Sequence, residues 1–157
     1  MILIFEGADA TGKTTHAEWL AARLGGTLLH YGPPDADALD MYVARPARWV
    51  RDEVVIMDRS SFGSMVWSRV GFHPPTMTAE VMNAVARWYA GNEAAAHIVI
   101  RDPDAITATL VARHEDDHIG PALAGQVEYL HMVVNHEILY IPVSLTSSDL
   151  LHHERNH

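Results

Sequence analysis

Residues 1 to 15 read MILIFEGADATGKTT, and the predicted architecture of the chain follows from them. Five apolar residues come first, as in a strand that is buried on both faces. The spacing G-x-x-x-x-G-K-T then runs from Gly7 to Thr14, and an amphipathic stretch comes next. A strand that leads into this glycine spacing and then into a helix is the context in which a loop binds phosphate. We therefore predict a phosphate-binding loop here.

The chemistry of a phosphate site explains this spacing. Gly7 and Gly12 allow positive φ, so successive main-chain amides can turn inward toward an anion. The helix that begins near Gly12 adds the positive end of its dipole. Lys13 can reach the β- and γ-phosphates of a nucleotide, and the Thr14 hydroxyl is placed to bind Mg²⁺. The predicted nucleotide-binding residues are Gly7, Ala8, Ala10, Thr11, Gly12, Lys13, Thr14 and Thr15.

Lysine usage points to the same loop. Of the eleven basic residues in the chain, ten are Arg and one is Lys, and that one is Lys13. An ammonium group is compact and flexible, which suits a pair of phosphates. The alternative is a Gly-rich turn that binds no ligand. It does not explain why the one Lys stands at this position.

Length, charge and composition limit the class of protein. A chain of 157 residues is most simply one domain, residues 1–157. Its net charge of −9 argues against a nucleic acid polymer as partner, so any polyanion it handles is small. The absence of cysteine excludes disulfides and fits a reducing cytoplasm. No apolar stretch fits a signal peptide or reaches the roughly 20 residues that span a bilayer, so we expect no membrane partner.

Apolar runs and breaker residues predict strands that alternate with helices. After the first strand, we predict strands at residues 27–30, 54–57, 97–100 and 138–143. Helices are predicted at residues 14–24, 35–50, 60–70, 78–90, 102–113 and 121–136, and Pro46 predicts either a kink in the second of them or its division into two short helices. We expect a rigid loop at residues 31–34, a charged loop at 114–118, and a tail after residue 143 that is a short helix or disordered. This alternation predicts an α/β fold, a five-stranded parallel sheet with helices on both faces.

A second group of charged residues follows the third predicted strand. Residues 54–61 read VVIMDRSS, so Asp58 and Arg59 stand at the end of that strand. Ligands bind beyond the carboxyl ends of parallel strands, so this pair is expected to share one crevice with the phosphate loop. Asp58 can hold Mg²⁺ or act as a base, and Arg59 can grip an acceptor or the transferring phosphoryl. The alternative is a surface ion pair, but the neighbouring phosphate loop favours a site.

These two segments resemble those of a known family. FEGADATGKTT, followed by an apolar strand that ends in D-R and then by Ser64 and Trp67, resembles the thymidylate kinase group of nucleoside monophosphate kinases. The short phage-type members are especially similar, because a loop like residues 30–34, HYGPP, also occurs in them. The resemblance implies the P-loop NTPase fold with ATP and Mg²⁺ as cofactors. It implies a deoxynucleoside monophosphate, thymidylate (dTMP) first, as the acceptor.

The resemblance also implies roles for the acceptor-binding residues. In such kinases the acidic residue inside the loop, here Asp9, lies near the sugar and phosphate of the acceptor. The Arg of D-R, here Arg59, binds the acceptor phosphate, and Asp58 organises Mg²⁺ and its waters. An Arg on the helix before the fourth strand often assists, and Arg87 is the candidate.

A lid is a further implication of the resemblance. It corresponds to about residues 112–120 and supplies an Arg that neutralises charge in the transition state. Arg113 fits this role best. Some family members place that Arg in the phosphate loop instead, which Ala10 and Thr11 cannot do.

The acceptor's base needs flat or polar side chains around it. A ring in a concave site can stack on a base, although ordinary packing is the alternative for each candidate. The chain has Ser60 where the family usually has Tyr after D-R, and the aromatic and Arg residues that normally read thymine are not found at clean spacing. The candidates for base binding are Tyr42, Arg45, Phe62 and Trp67.

Two alternative functions stay open at this point. Deoxynucleoside kinases carry an acidic-Arg-Ser triplet that Asp58, Arg59 and Ser60 also match, so the acceptor could be a nucleoside or another small hydroxyl compound. From a different class comes a nucleotide-dependent switch. The chain lacks the guanine-reading N-K-x-D that such a switch often carries.

Location, assembly and the histidines complete these expectations. We expect the cytoplasm, or the host cytoplasm if a phage encodes the chain. Related kinases are often homodimers, so a homodimer stays a prediction, although no helix can be assigned to its interface. Among eleven His, His114 and His118 have a spacing that could bind a cation. No Cys and no H-E-x-x-H pattern supports a metal there, and exposed His is the favoured interpretation.

Overall fold

A computed structural model describes residues 1–32, 37–50, 53–72, 75, 77–135 and 141–148. Its centre is a five-stranded, all-parallel sheet in the order β2-β3-β1-β4-β5, which confirms the predicted α/β fold. The strands are β1 (Ile2–Glu6), β2 (Thr27–His30), β3 (Val55–Asp58), β4 (Ala94–Ile100) and β5 (Val143–Ser147). The α-helices are α1 (Lys13–Leu24), α2 (Arg45–Ala47), α3 (Ser61–Arg69), α4 (Ala79–Gly91), α5 (Pro103–Ala112) and α6 (Ile119–Val134).

The central strand is buried on both faces, as its continuous apolar run predicts. Ile2 and Ile4 have no exposed surface and belong to the core that also holds side chains of α3, α4 and α6. Phe5 points to the opposite face, where it packs in one cluster with Ala17 and Ala21 of α1. Helices therefore cover both faces of the sheet, and the carboxyl end of β1 is held between β3 and β4.

Helix ends follow the capping rules that the sequence suggested. α1 begins after Gly12, at φ 87°, and ends at Gly25, at φ 64°. The Thr78 side chain accepts a hydrogen bond from the amide of Val81 at the start of α4. Asp102 caps α5 in the same way, and Pro103 occupies its first turn.

The end of the chain differs from the prediction. The fifth strand was predicted at residues 138–143, but β5 is Val143–Ser147, and residues 138–140 lie outside the described part. The prediction of a helical or disordered tail is therefore wrong for residues 144–147; residues 149–157 also lie outside it. β5 is paired with β4 at one end of the sheet order, and Leu145 is half exposed. A strand that is open on one side needs no continuous apolar run, so its polar sequence gave no strand signal.

Smaller differences concern the second helix and the start of β4. A π-helical turn, Asp40–Ala44, leads into the three-residue α2, so two short helical segments meet next to Pro46, which is one of the two predicted outcomes. Predictions at residues 33–36, 51–52 and 136 lie outside the described part. β4 begins at Ala94, three residues before the predicted start. The prediction missed its first three residues because a run of alanines is less apolar than the residues that mark a buried strand. The predicted charged loop at 114–118 contains a 3₁₀ turn, Asp116–His118.

None of the helices in the described part combines the length and the apolar character that crossing a bilayer demands.

Candidate functional site

The loop after β1 has the backbone of an anion cradle. Gly7, Ala10 and Gly12 all adopt positive φ, at 150°, 62° and 87°. Within the described residues, the amides of residues 8–14 donate to no main-chain carbonyl, which leaves them for a ligand. A Cβ on Gly7 would lie 2.4 Å from the Val99 carbonyl oxygen, so this position requires glycine.

Lys13 lies at the start of α1 with only 5% of its surface exposed. Its Nζ donates to the Ala8 carbonyl at 3.2 Å and lies 3.7 Å from Asp9 Oδ1. Burial lowers the pKa of Lys13, and the nearby Arg59 lowers this pKa further. A buried ammonium held beside another cation is an energetic cost that a phosphate group would offset.

Arg59 connects the end of β3 to the phosphate loop. Its backbone is left-handed, with φ 74°, which is a strained conformation for a side chain of this size. Its amide donates to the Phe5 carbonyl at 2.9 Å, and its Nη2 donates to Asp9 Oδ1 at 2.7 Å. The crevice that the sequence predicted therefore exists, since the structure brings the D-R pair and the loop together.

Asp58 is fully buried next to this arginine. Its Oδ2 lies 2.6 Å from Nδ1 of His30, which is largely exposed at the end of β2. Its Oδ1 is buried and has no hydrogen-bond partner among the described residues. An oxygen of this kind suits a cation or an ordered water.

Glu6 is a buried residue of this site that the sequence did not reveal. Its Oε1 accepts hydrogen bonds from the Ser60 amide at 2.6 Å, the Ser60 hydroxyl at 2.6 Å and the Gly63 amide at 3.1 Å. Its Oε2 accepts from the Tyr129 hydroxyl at 2.7 Å. Burial raises the pKa of Glu6, and these hydrogen bonds oppose that rise only in part. Glu6 thereby joins β1 to α3 and α6. Its partner Ser60 is the residue that follows the strained Arg59 in the sequence.

A cavity of about 290 Å³ lies against the loop. It brings together three cations from three parts of the chain, Lys13, Arg59 and Arg113, the last at the carboxyl end of α5. Most of the residues that line it were predicted as site residues, whereas Glu115 and His118 were not. The lining residues are Asp9, Ala10, Gly12, Lys13, Thr14, Thr15, Arg59, Arg113, Glu115 and His118.

His118 and Glu115 come from the segment that was predicted as a charged loop within the lid, without a role for either residue in the phosphate site. Nδ1 of His118 lies 3.8 Å from Asp9 Oδ2, and its ring meets Phe72 edge-on at 5.5 Å between centroids. Their proximity to the phosphate loop depends on how α5 and α6 pack. The one available signal was their place inside the predicted lid.

Five predicted substrate residues lie outside this lining. Tyr42 is buried, with its hydroxyl 2.9 Å from Ser64 Oγ. Phe62 is buried against Tyr89, and Trp67 is buried against Gly125 on α6. Arg45 pairs with Asp40 at 2.8 Å, and Arg87 is exposed on α4. Their roles in base and phosphate binding stay predictions.

Comparison with known proteins bears on the fold. No family model and no curated protein matches the sequence. The YorR protein of Bacillus subtilis, in complex with phosphorylated GDP, has a TM-score of 0.74 at 15% identity, over 100% of this chain and 99% of its own. Deoxyadenosine kinase from M. mycoides with bound dATP has a TM-score of 0.61 at 12% identity, over 100% of both chains. Thymidylate kinase from Ehrlichia chaffeensis has a TM-score of 0.55 at 14% identity, over 99% and 96%.

Identities this low establish the fold and nothing finer. Each of the three structures is matched over nearly its whole length, so the similarity covers the complete architecture. This chain has the α/β fold of P-loop nucleotide and nucleoside kinases, with five parallel strands in the order 2-3-1-4-5.

Proposed function

We propose that this chain is a kinase that transfers the γ-phosphoryl group of ATP to a deoxynucleoside monophosphate, with thymidylate as the first candidate. The observation that carries the proposal is the convergence of Lys13, Arg59 and Arg113 on one cavity beside the unpaired loop amides. A phosphoryl group that passes between two phosphates is surrounded by negative charge. Three cations from three directions are suited to neutralise it.

The loop and Lys13 hold the β- and γ-phosphates of the donor in this proposal. Arg59, now bound to Asp9, grips the acceptor phosphate, and Asp9 keeps the guanidinium aimed until the acceptor arrives. Arg113 belongs to a lid at about residues 112–120 that closes over the donor. The protein forms no covalent intermediate, because positioning and electrostatic stabilisation suffice for this reaction class.

Asp58 and Thr14 are the residues that would hold Mg²⁺ or its waters. Thr14 lines the cavity, and the buried Oδ1 of Asp58 has no hydrogen-bond partner within the residues that the structure describes, which fits a magnesium ligand. In the described part, no three carboxylate or imidazole groups gather around one point. Proteins typically bind Mg²⁺ in this sparse way, with the substrate phosphates completing the shell. When bound, Mg²⁺ neutralises charge on the phosphate oxygens.

The structural neighbours support a nucleotide as the ligand. Two of them are described with phosphorylated GDP and with dATP, and a third is a thymidylate kinase. The net charge of −9 also fits a small nucleotide better than a nucleic acid polymer. In this proposal the chain is one kinase domain that acts in the cytoplasm, or in the host cytoplasm if a phage encodes it.

A nucleoside as acceptor is the second candidate, and one observation favours it. The exposed His30 imidazole is held by the buried Asp58 carboxylate at 2.6 Å. A histidine oriented by a carboxylate is an arrangement that removes a proton from a hydroxyl group. A nucleoside hydroxyl must lose a proton on phosphorylation, whereas a monophosphate is already ionic.

The acceptor can be identified by a coupled assay of ADP release. With Mg²⁺ and ATP, we expect nucleoside monophosphates to give a higher kcat/KM than nucleosides, because Arg59 recognises a phosphate, and we expect dTMP, the acceptor that the family resemblance implies, to give the highest value. Thymidine should give no turnover above the rate without acceptor. Turnover with nucleosides alone would establish the second candidate. No turnover with any monophosphate would overturn the leading proposal.

His30→Asn separates the two candidates by a different measurement. For a monophosphate acceptor we expect kcat to stay within about threefold of the wild-type value, since no proton has to be removed. For a hydroxyl acceptor the same change should lower kcat by about a hundredfold or more. His131→Asn, an exposed histidine on α6, is the matched control. A large loss of dTMP turnover in His30→Asn alone would contradict the expected outcome.

A further inference from the structure

Arg101 stands immediately after β4 and contacts the phosphate loop from outside the cavity. Its Nη1 donates to the Ala10 carbonyl at 2.9 Å and to Oγ1 of Thr109 at 2.9 Å. Its main chain is held as firmly, because Gln126 accepts from its amide and donates to its carbonyl, both at 2.9 Å. The Arg101 residue is therefore held at its main chain and at Nη1, while its buried Nε has no hydrogen-bond partner among the described residues.

The contact falls on the least favourable residue of the loop. Ala10 has a left-handed backbone, with φ 62°, without being glycine. Such a conformation costs free energy and persists only where surrounding contacts fix it. In the described part, the Arg101 side chain supplies such a contact through its hydrogen bond to the Ala10 carbonyl. This hydrogen bond is strong because its donor is charged.

Fixing the Ala10 carbonyl also fixes the next amide. A trans peptide unit is planar, so the Thr11 N–H points opposite to the Ala10 carbonyl. Because that carbonyl faces Arg101, the Thr11 amide faces away from Arg101, and Arg101 does not line the cavity. Rotation of this one peptide would turn a carbonyl oxygen toward bound phosphate, which repels it.

Thr109 links the same arginine to the lid. Thr109 lies on α5, and its hydroxyl donates to the Ala105 carbonyl at 2.8 Å, which orients the oxygen lone pairs toward Arg101. Arg113 follows one helical turn later, at the end of α5. Arg101 thus joins the phosphate loop to the helix that carries a cation of the cavity.

We propose that Arg101 is a positioning residue that holds the Ala10–Thr11 peptide in its anion-binding orientation and couples it to α5. The consequence for nucleotide affinity rests on the proposed function, but the order of the loop in the ligand-free protein does not. Both can be measured on the full chain.

The test compares wild type with Arg101→Met, Arg101→Lys and Thr109→Val. In ligand-free Arg101→Met, we expect ¹⁵N relaxation to show increased mobility of the residue 8–12 amides, with α4 and β4 unchanged. Calorimetry with Mg·ATP should give a Kd raised about tenfold or more, because a charge-assisted hydrogen bond is lost. Arg101→Lys should have nearly the loop order and the Kd of wild type. Thr109→Val should have values between those of wild type and those of Arg101→Met.

Arg23→Ala is the matched control, since Arg23 is an exposed arginine in the last turn of α1. A loop as ordered in Arg101→Met as in wild type overturns the inference, whatever the affinity. If wild type binds no nucleotide while Arg101→Met loosens the loop, the inference stands and the proposed function falls. If Arg101→Met does not fold, Thr109→Val supplies the comparison, because it removes one of the two acceptors of Arg101 Nη1, and a loop as ordered in Thr109→Val as in wild type then overturns the inference.

Discussion

Lys13→Ala is expected to lower kcat by about a thousandfold or more, which is the scale on which a preorganised charge at a phosphoryl site contributes. Lys13 is the one lysine of the chain, and its ammonium group lies at the loop beside Ala8 and Asp9. Arg59 and Arg113 also line the cavity, but Arg59 is bound to Asp9 and Arg113 lies at the end of α5, so neither takes the place of an ammonium group at the start of α1. Steady-state kinetics with saturating Mg·ATP measures the loss.

The same substitution should leave the fold intact. Burial lowers the pKa of Lys13, which means that folding disfavours its charged form. Removing the ammonium group therefore removes a cost, and we expect a thermal midpoint equal to or above that of wild type. Arg23→Ala, at the other end of α1, controls for the loss of a positive charge. A Lys13→Ala protein that unfolds, or that retains turnover, would contradict this account of the loop.

Glu6→Ala is expected to produce the largest loss of stability, about 3 kcal/mol or more, because it leaves several buried donors without an acceptor. Those donors are the amides of Ser60 and Gly63 and the hydroxyls of Ser60 and Tyr129. For a chain of this length the thermal midpoint should fall by roughly 10 °C. Denaturant unfolding gives the free energy directly. Glu18→Ala, an exposed glutamate on α1, is the control and should change the midpoint little.

The pH dependence of the free energy of unfolding tests the role of the Glu6 carboxyl group independently. Its folded pKa is raised above the ordinary value of 4.5, so the native state binds more protons than the unfolded state between these two values. The stability that Glu6 contributes is therefore fully present below pH 4.5 and is lost as the pH rises through the folded pKa. Wild type should gain stability relative to Glu6→Gln as the pH falls through this window. A constant difference between the two proteins would contradict a raised pKa.

The parts that sequence predicted best are local. The strand, loop and helix at the amino end were predicted because apolar pattern, glycine spacing and helix capping agree within 25 residues. β2 was predicted at its observed bounds, Thr27–His30, because Gly25 and Gly26 separate it from α1. The crevice shared by the loop and Arg59 was also predictable, since the carboxyl ends of parallel strands meet at one edge.

The parts that sequence could not predict depend on which elements become neighbours. Glu6 and Tyr129 are 123 residues apart, and Ala10 and Arg101 are 91 apart, so no local pattern joins them. Glu6 directly follows an apolar run, and the pattern of that run does not identify the partners of the carboxyl group. The course of β5 was missed for a related reason, because its pairing with β4 and not its own apolarity makes it a strand.

The place of β1 in the sheet has a consequence for biosynthesis. This strand is made first, yet its two neighbours begin with Val55 and Ala94. Long-range parallel pairing is slow because a large loop must close before any contact forms. On the ribosome, β1 therefore stays unpaired until β3 has emerged, and its other edge stays open until β4 has emerged. During that interval it is the segment most exposed to aggregation or to capture by a chaperone.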